Sequence, residues 1–140
     1  MARVDFYVLS QTGEQARLLF ACRLAEKVYR LDNSVYIHAP SQADAARLDD
    51  LLWTFRDGSF VPHEVVSSNK AEAPVTIGAL PPAAGDIELL INLADDIPAN
   101  SADLPRIAEI VSNDESSRQL SRQRYARYRE LGHTLETHKL

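Results

Sequence analysis

Five arginines stand between Arg118 and Arg129 with no acidic residue among them, in a chain whose formal net charge is −5. With those five cations set aside, the remainder carries −10. At about 100° per residue, Arg118, Arg122, Tyr125 and Arg129 fall in one narrow stripe of a helix, three guanidinium forks around one phenol. Such a stripe can hold carboxylates or phosphates bidentately, which lysine does less well. The competing reading is a face that merely solvates its charges.

The other chemistry-bearing residues form no recognised constellation. His38, His63, His133 and His138 show no HxH, HExxH or cysteine-paired spacing, so no metal centre is expected. His63 follows Pro62 in an extended stretch and reads as a hydrogen-bonded structural residue, while Asp95-Asp96 reads as turn chemistry. Cys22 lies within an apolar helical stripe and is expected as a small buried hydrophobe rather than a reactive thiol. As the lone cysteine it excludes an internal disulfide and fits a reducing cytoplasm. The turn after the first strand, Ser10-Gln11-Thr12-Gly13, has a single glycine, and neither GxGxxG, GK[ST] nor GxSxG occurs. No catalytic residue and no cofactor is therefore expected. A sequence pI near 5.3 argues against nucleic-acid binding by the surface at large, leaving the arginine helix as the place for an anion.

Strands and helices alternate along the chain in a way that would position this helix. Arg3 to Leu9 reads as a first strand, not a signal peptide. Thr12 and Gln15 form a capping-box pattern ahead of an amphipathic helix over Glu14 to Arg30, whose face carries Leu18, Cys22, Ala25 and Tyr29. Ser34 to Ala39 is a second strand, and Pro40-Ser41 opens a helix from Gln42 to about Phe55. Ser59 to Val66, interrupted by Pro62, is expected at an edge. Trp53, Phe55 and Phe60 cluster there, and their pattern favours core over an exposed patch. Val75 to Ile77 and the apolar run Ile87 to Leu93 are further strands, with Ile87 to Leu93 central, and Ile107 to Val111 is either a final strand or a short helix, its length and position favouring strand. Asp114 then caps a basic helix over about 114–131, closed by Gly132, with Leu120 and Leu131 as its anchors. The expected fold is a Rossmann-like α/β three-layer sandwich with a mostly parallel sheet, formed by residues 1–140 as a single domain. No run is long enough to span a membrane.

The residues in order resemble the chi subunit family of bacterial DNA polymerase III, a component of the clamp-loader assembly. The likeness rests on Phe6-Tyr7, Arg47-Leu48-Asp49 with Leu52-Trp53, Ser59-Phe60-Val61-Pro62-His63, Ala73-Pro74-Val75, the strand Ile87 to Leu93, and Gln119 to Arg129. The resemblance implies a non-enzymatic adaptor on a sheet without a nucleotide site. It implies that the last helix captures the acidic C-terminal tail of single-stranded DNA-binding protein, which ends in Pro-Phe and a free carboxylate. In that reading Arg122 pairs with the terminal carboxylate, Tyr125 and Val111 line the phenylalanine pocket, and Arg118 and Arg129 attract the upstream acids. Arg124 and Arg127 face the other way and drop out. Ala126 stands where some relatives have lysine. Trp53 and Phe60 would contact a psi-type subunit, and a repair helicase is a further candidate partner. Weak direct binding of single-stranded DNA, and less so a nucleotide-binding enzyme, are the alternatives.

Overall fold

A computed structural model describes residues 2–55, 61–65, 73–79, 87–98 and 101–140. Its strands are β1 (Arg3–Val8), β2 (Val35–His38), β3 (His63–Val65), β4 (Val75–Gly78), β5 (Leu89–Asn92), β6 (Arg106–Val111) and β7 (Thr134–Lys139). Its helices are α1 (Glu14–Arg30), α2 (Gln42–Thr54) and α3 (Glu115–Glu130). The strands form one seven-stranded sheet in the order β3-β4-β2-β5-β6-β1-β7, and every pairing among them is parallel. This is the expected Rossmann-like sandwich, with β5 at its centre and β3 at an edge.

Period-two alternation divides the core between the two faces of the sheet. Leu89 and Ile91 on β5 and Ala108 and Ile110 on β6 join Leu18, Ala21, Cys22, Ala25, Leu48 and Leu52 of α1 and α2. On the other face Leu90, Ile107, Val111, Val4 and Phe6 pack with Tyr128 of α3. The helices separate for a topological reason. The β1-to-β2 crossover passes over β6 and β5, whereas the β6-to-β7 crossover passes the opposite way over β1. Right-handed crossovers running in opposite directions must lie on opposite faces.

Several local expectations are corrected. Thr12 and Gln15 form no capping box: α1 begins at Gly13 without a side-chain cap, and the Gly13 N–H donates to Asp114 Oδ1 at 3.3 Å. Leu120 and Leu131 do not anchor α3; both are exposed, and the buried residues are Arg124 and Tyr128. Trp53 is not core, being 63% exposed, because it sits on the outward side of α2. The strand β7 follows Gly132, whose φ of 87° is the left-handed turn expected of a helix-terminating glycine. Phe60, the Asp57-Gly58 turn and the loops around 67–72 and 81–85 lie outside the described residues.

Candidate functional site

Buried polar chemistry seats α3. Glu109 lies within β6, fully enclosed, and its Oε2 accepts the Tyr128 hydroxyl at 2.6 Å and the Asn92 amide at 2.8 Å. Arg124 Nε stands 3.1 Å from Glu109 Oε1 as an ion pair not aligned for a hydrogen bond, while Arg124 Nη1 donates to the Asp95 carbonyl at 3.2 Å. Burial pushes the Glu109 carboxyl up, opposed by Arg124 and by the hydrogen bonds from Asn92 and Tyr128. Burial, and then the Glu109 charge, push the Tyr128 phenol well above its usual value, so it remains a donor. Tyr128 also meets Phe6 edge-on at 6.0 Å and His133 at 5.6 Å.

With that side of the helix fixed, its neighbouring flank is presented outward. Tyr125 is 37% exposed and rests against Phe6 with ring centroids 5.4 Å apart. Arg122 and Arg129 are exposed and make no side-chain hydrogen bond or ion pair among the described residues. Arg118 is partly committed, donating from Nη1 to Asn113 Oδ1 at 3.0 Å and lying 3.5 Å from Glu115. Val111 is 1% exposed and shares the Phe6 cluster, so it can supply only the floor of a pocket. The four α3 residues thus lie on one flank, with an aromatic seat that Phe6 provides. Phe6 carried no site signal in the sequence; only its position opposite α3 reveals the role. Trp53 belongs to α2, on the other face of the sheet, and its ring lies 4.7 Å from that of His63. His63 is held structurally, by the Val61 carbonyl at 2.6 Å and Asp49 at 3.2 Å.

The crevice between the carboxyl ends of β1 and β6 is the point where the connections diverge, the usual ligand position of an open α/β sheet. Here the chain fills it with its own groups. The Asn113 N–H donates to the Gln11 carbonyl at 2.8 Å, the Asn113 side chain to Ser10 at 3.2 Å, and Asp114 takes the Gly13 N–H. The Ser112 hydroxyl, bonded at 2.6 Å, heads the contacts that hold the Asp114 carboxyl below its usual range. A carboxylate therefore occupies the amide where a bound phosphate would sit. Asp5, Glu136 and His138 have ligand atoms within 4.8 Å of one another. Arg3 and Arg106 already neutralise that cluster, at 2.6 Å from Glu136 and 2.9 Å from Asp5, which is the wrong charge setting for a cation.

The sequence model of the DNA polymerase III chi subunit, HolC, matches residues 1–136. The chain belongs to this family. Its similarity to the DNA polymerase III subunit chi of Pseudomonas aeruginosa is 41% identity, covering 100% of this chain and 98% of the relative. The subunits chi of Haemophilus influenzae and Escherichia coli are each 30% identical, covering 94% and 97% of their own lengths. In fold alone, the chain is also similar to a crystal structure of T4 UvsW at TM-score 0.68 and 8% identity, spanning 41% of that chain. Membership of the chi family makes this a protein of DNA replication.

Proposed function

We propose that this chi-family protein is a non-enzymatic adaptor of the polymerase III clamp-loader assembly that captures the acidic C-terminal tail of single-stranded DNA-binding protein on α3. The observation that carries this reading is the exposed Tyr125, seated on Phe6 and flanked by Arg122 and Arg129, which have no partner among the described residues. An acidic peptide with an apolar carboxyl-terminal residue matches that surface. Its ring can lie against Tyr125 over the Val111 floor, its terminal carboxylate can take the Arg122 fork, and upstream acids meet Arg118 and Arg129. The exposed Trp53, on the opposite face, and Phe60 belong to a second, psi-type interface, which leaves α3 free while the protein is held in its complex.

Fluorescence anisotropy with a labelled peptide ending in Asp-Pro-Phe and a free carboxylate tests the first interface. Saturable binding in the micromolar range is expected, with Arg122→Ala weakening it by about tenfold or more, roughly 1.4 kcal/mol. No saturable binding, or binding indifferent to that substitution, rejects the proposal. Aromatic and guanidinium groups side by side also suit stacked bases. Tight binding of an oligonucleotide by the isolated protein would favour that alternative, which the −10 charge outside the arginine run opposes.

A further inference from the structure

The arginine stripe of α3 is closed by an acid at one end and open at the other. Glu115 and Arg122 are seven positions apart, two helical turns, so Glu115 stands on the same stripe as Arg118, Arg122, Tyr125 and Arg129. Its Oε2 lies 3.5 Å from Arg118 Nη2, while Arg118 Nη1 donates to Asn113 Oδ1 at 3.0 Å. Asn113 is itself fixed, its side-chain amide donating to the Ser10 carbonyl at 3.2 Å and its backbone N–H to the Gln11 carbonyl at 2.8 Å. Both ends of the Arg118 fork therefore face groups of the chain itself.

The other end differs in kind. No acid stands three or four positions from Arg122 or Arg129, and neither has a partner among the described residues. The positive N-terminus of a helix ordinarily draws an acidic ligand, but Asp114 and Glu115 already sit there. An incoming carboxylate consequently meets repulsion at the start of α3 and free guanidinium groups from Arg122 onward. Arg122 and Arg129 are about 10 Å apart along the axis, which two or three extended residues span. That separation matches a terminal carboxylate and an acid two residues upstream of it.

We propose that Glu115 is a specificity residue that fixes the polarity of the bound tail: the terminal carboxylate takes Arg122, the preceding acids run toward Arg129, and the reverse orientation is rejected at Glu115. This inference rests on the reading of α3 as the tail site and adds the direction of the peptide to it. Glu115 acts twice, by repelling an acid at the N-terminal end and by standing in for a ligand carboxylate on Arg118. Arg118 then steers the approach of the acids, and Arg129 holds them. Because the Glu115–Arg118 pair is exposed, the effect is modest, about two- to threefold in affinity.

The test uses the isotopically labelled full chain and a peptide ending in Asp-Pro-Phe with a free carboxylate and a nitroxide just upstream of the aspartate. On binding, loss of amide NMR intensity is expected to be strongest around Arg129 to Gly132 and weak around Asn113 to Ser116. Glu115→Gln should tighten binding by about two- to threefold in fluorescence anisotropy and spread the intensity loss to both ends of α3. Glu130→Gln removes the same charge beside Arg127, off the stripe, and should leave affinity and polarity unchanged. Intensity loss centred on Asn113 to Ser116, no response to Glu115→Gln, or equal gains from Glu115→Gln and Glu130→Gln overturn the inference, while saturable binding keeps the tail reading. Absence of saturable binding to the unaltered chain rejects the tail reading itself, and the inference falls with it.

Discussion

Among the arginines of α3, neighbours in sequence are committed to opposite tasks. Arg124 is buried against Glu109 and the Asp95 carbonyl, whereas Arg122, two residues earlier, is exposed and has no partner among the described residues. Arg118 stands between these cases, since Asn113 and Glu115 already hold part of its guanidinium. Arg118→Ala is therefore expected to reduce peptide affinity less than Arg122→Ala. Its effect should appear mainly as a slower association rate and a shallower salt dependence, read by stopped-flow anisotropy at several ionic strengths. Trp53 is a second residue-scale case. Because most of its ring is exposed, Trp53→Ala should change folding stability by less than about 1 kcal/mol in urea denaturation, so any loss of partner binding reports a lost contact rather than a lost fold.

At the scale of the element, α3 is held less by apolar area than by the hydrogen-bonded group under Arg124 and Tyr128. Tyr128→Phe keeps the ring against Phe6 and removes one donor from Glu109, so a loss of about 1–2 kcal/mol is expected in chemical denaturation. Arg124→Leu leaves the Glu109 carboxylate enclosed without its cation, and about 3–5 kcal/mol is expected. Equal effects of the two substitutions would show that the ion pair adds nothing to the hydrogen bonds. The same element shows the reach of sequence reading. The period of 3.6 and the terminating Gly132 give the helix and its exposed stripe, but the opposite side offers Leu120, Leu131, Arg124 and Tyr128 together. Hydropathy favours the leucines as anchors, yet a carboxylate buried in β6 reverses the choice, because Glu109 makes an arginine and a phenol the better occupants.

At the scale of the whole molecule, the first and last strands are stitched together across the sheet edge. Asp5 on β1 is enclosed and pairs with Arg106 at 2.9 Å and His138 at 2.9 Å, and Arg3 bridges to Glu136. Burial alone would raise the Asp5 carboxyl, but His138 and the two arginines outweigh it and hold it below 3.8. A depressed acid stabilises the fold above its unfolded pKa, and that stability is lost as pH falls through the lower folded value. Urea denaturation from pH 6 down toward pH 3 should therefore show declining stability, with a shallower decline in Asp5→Asn. The sequence by itself determined the alternation of strands and helices, the central apolar strand, the edge position of the segment after Pro62 and the arginine stripe, because these rest on local periodicity and turn chemistry. Tertiary structure alone decided that β7 exists: Thr134 to Lys139 has no apolar rhythm and becomes a strand by pairing with β1 and carrying Glu136 and His138 to its charges. It also decided that Phe6 seats Tyr125 and that Asp114 fills the crevice beside Gly13. Each of those outcomes joins residues far apart in the chain, and no local pattern encodes which distant partner a side chain will meet.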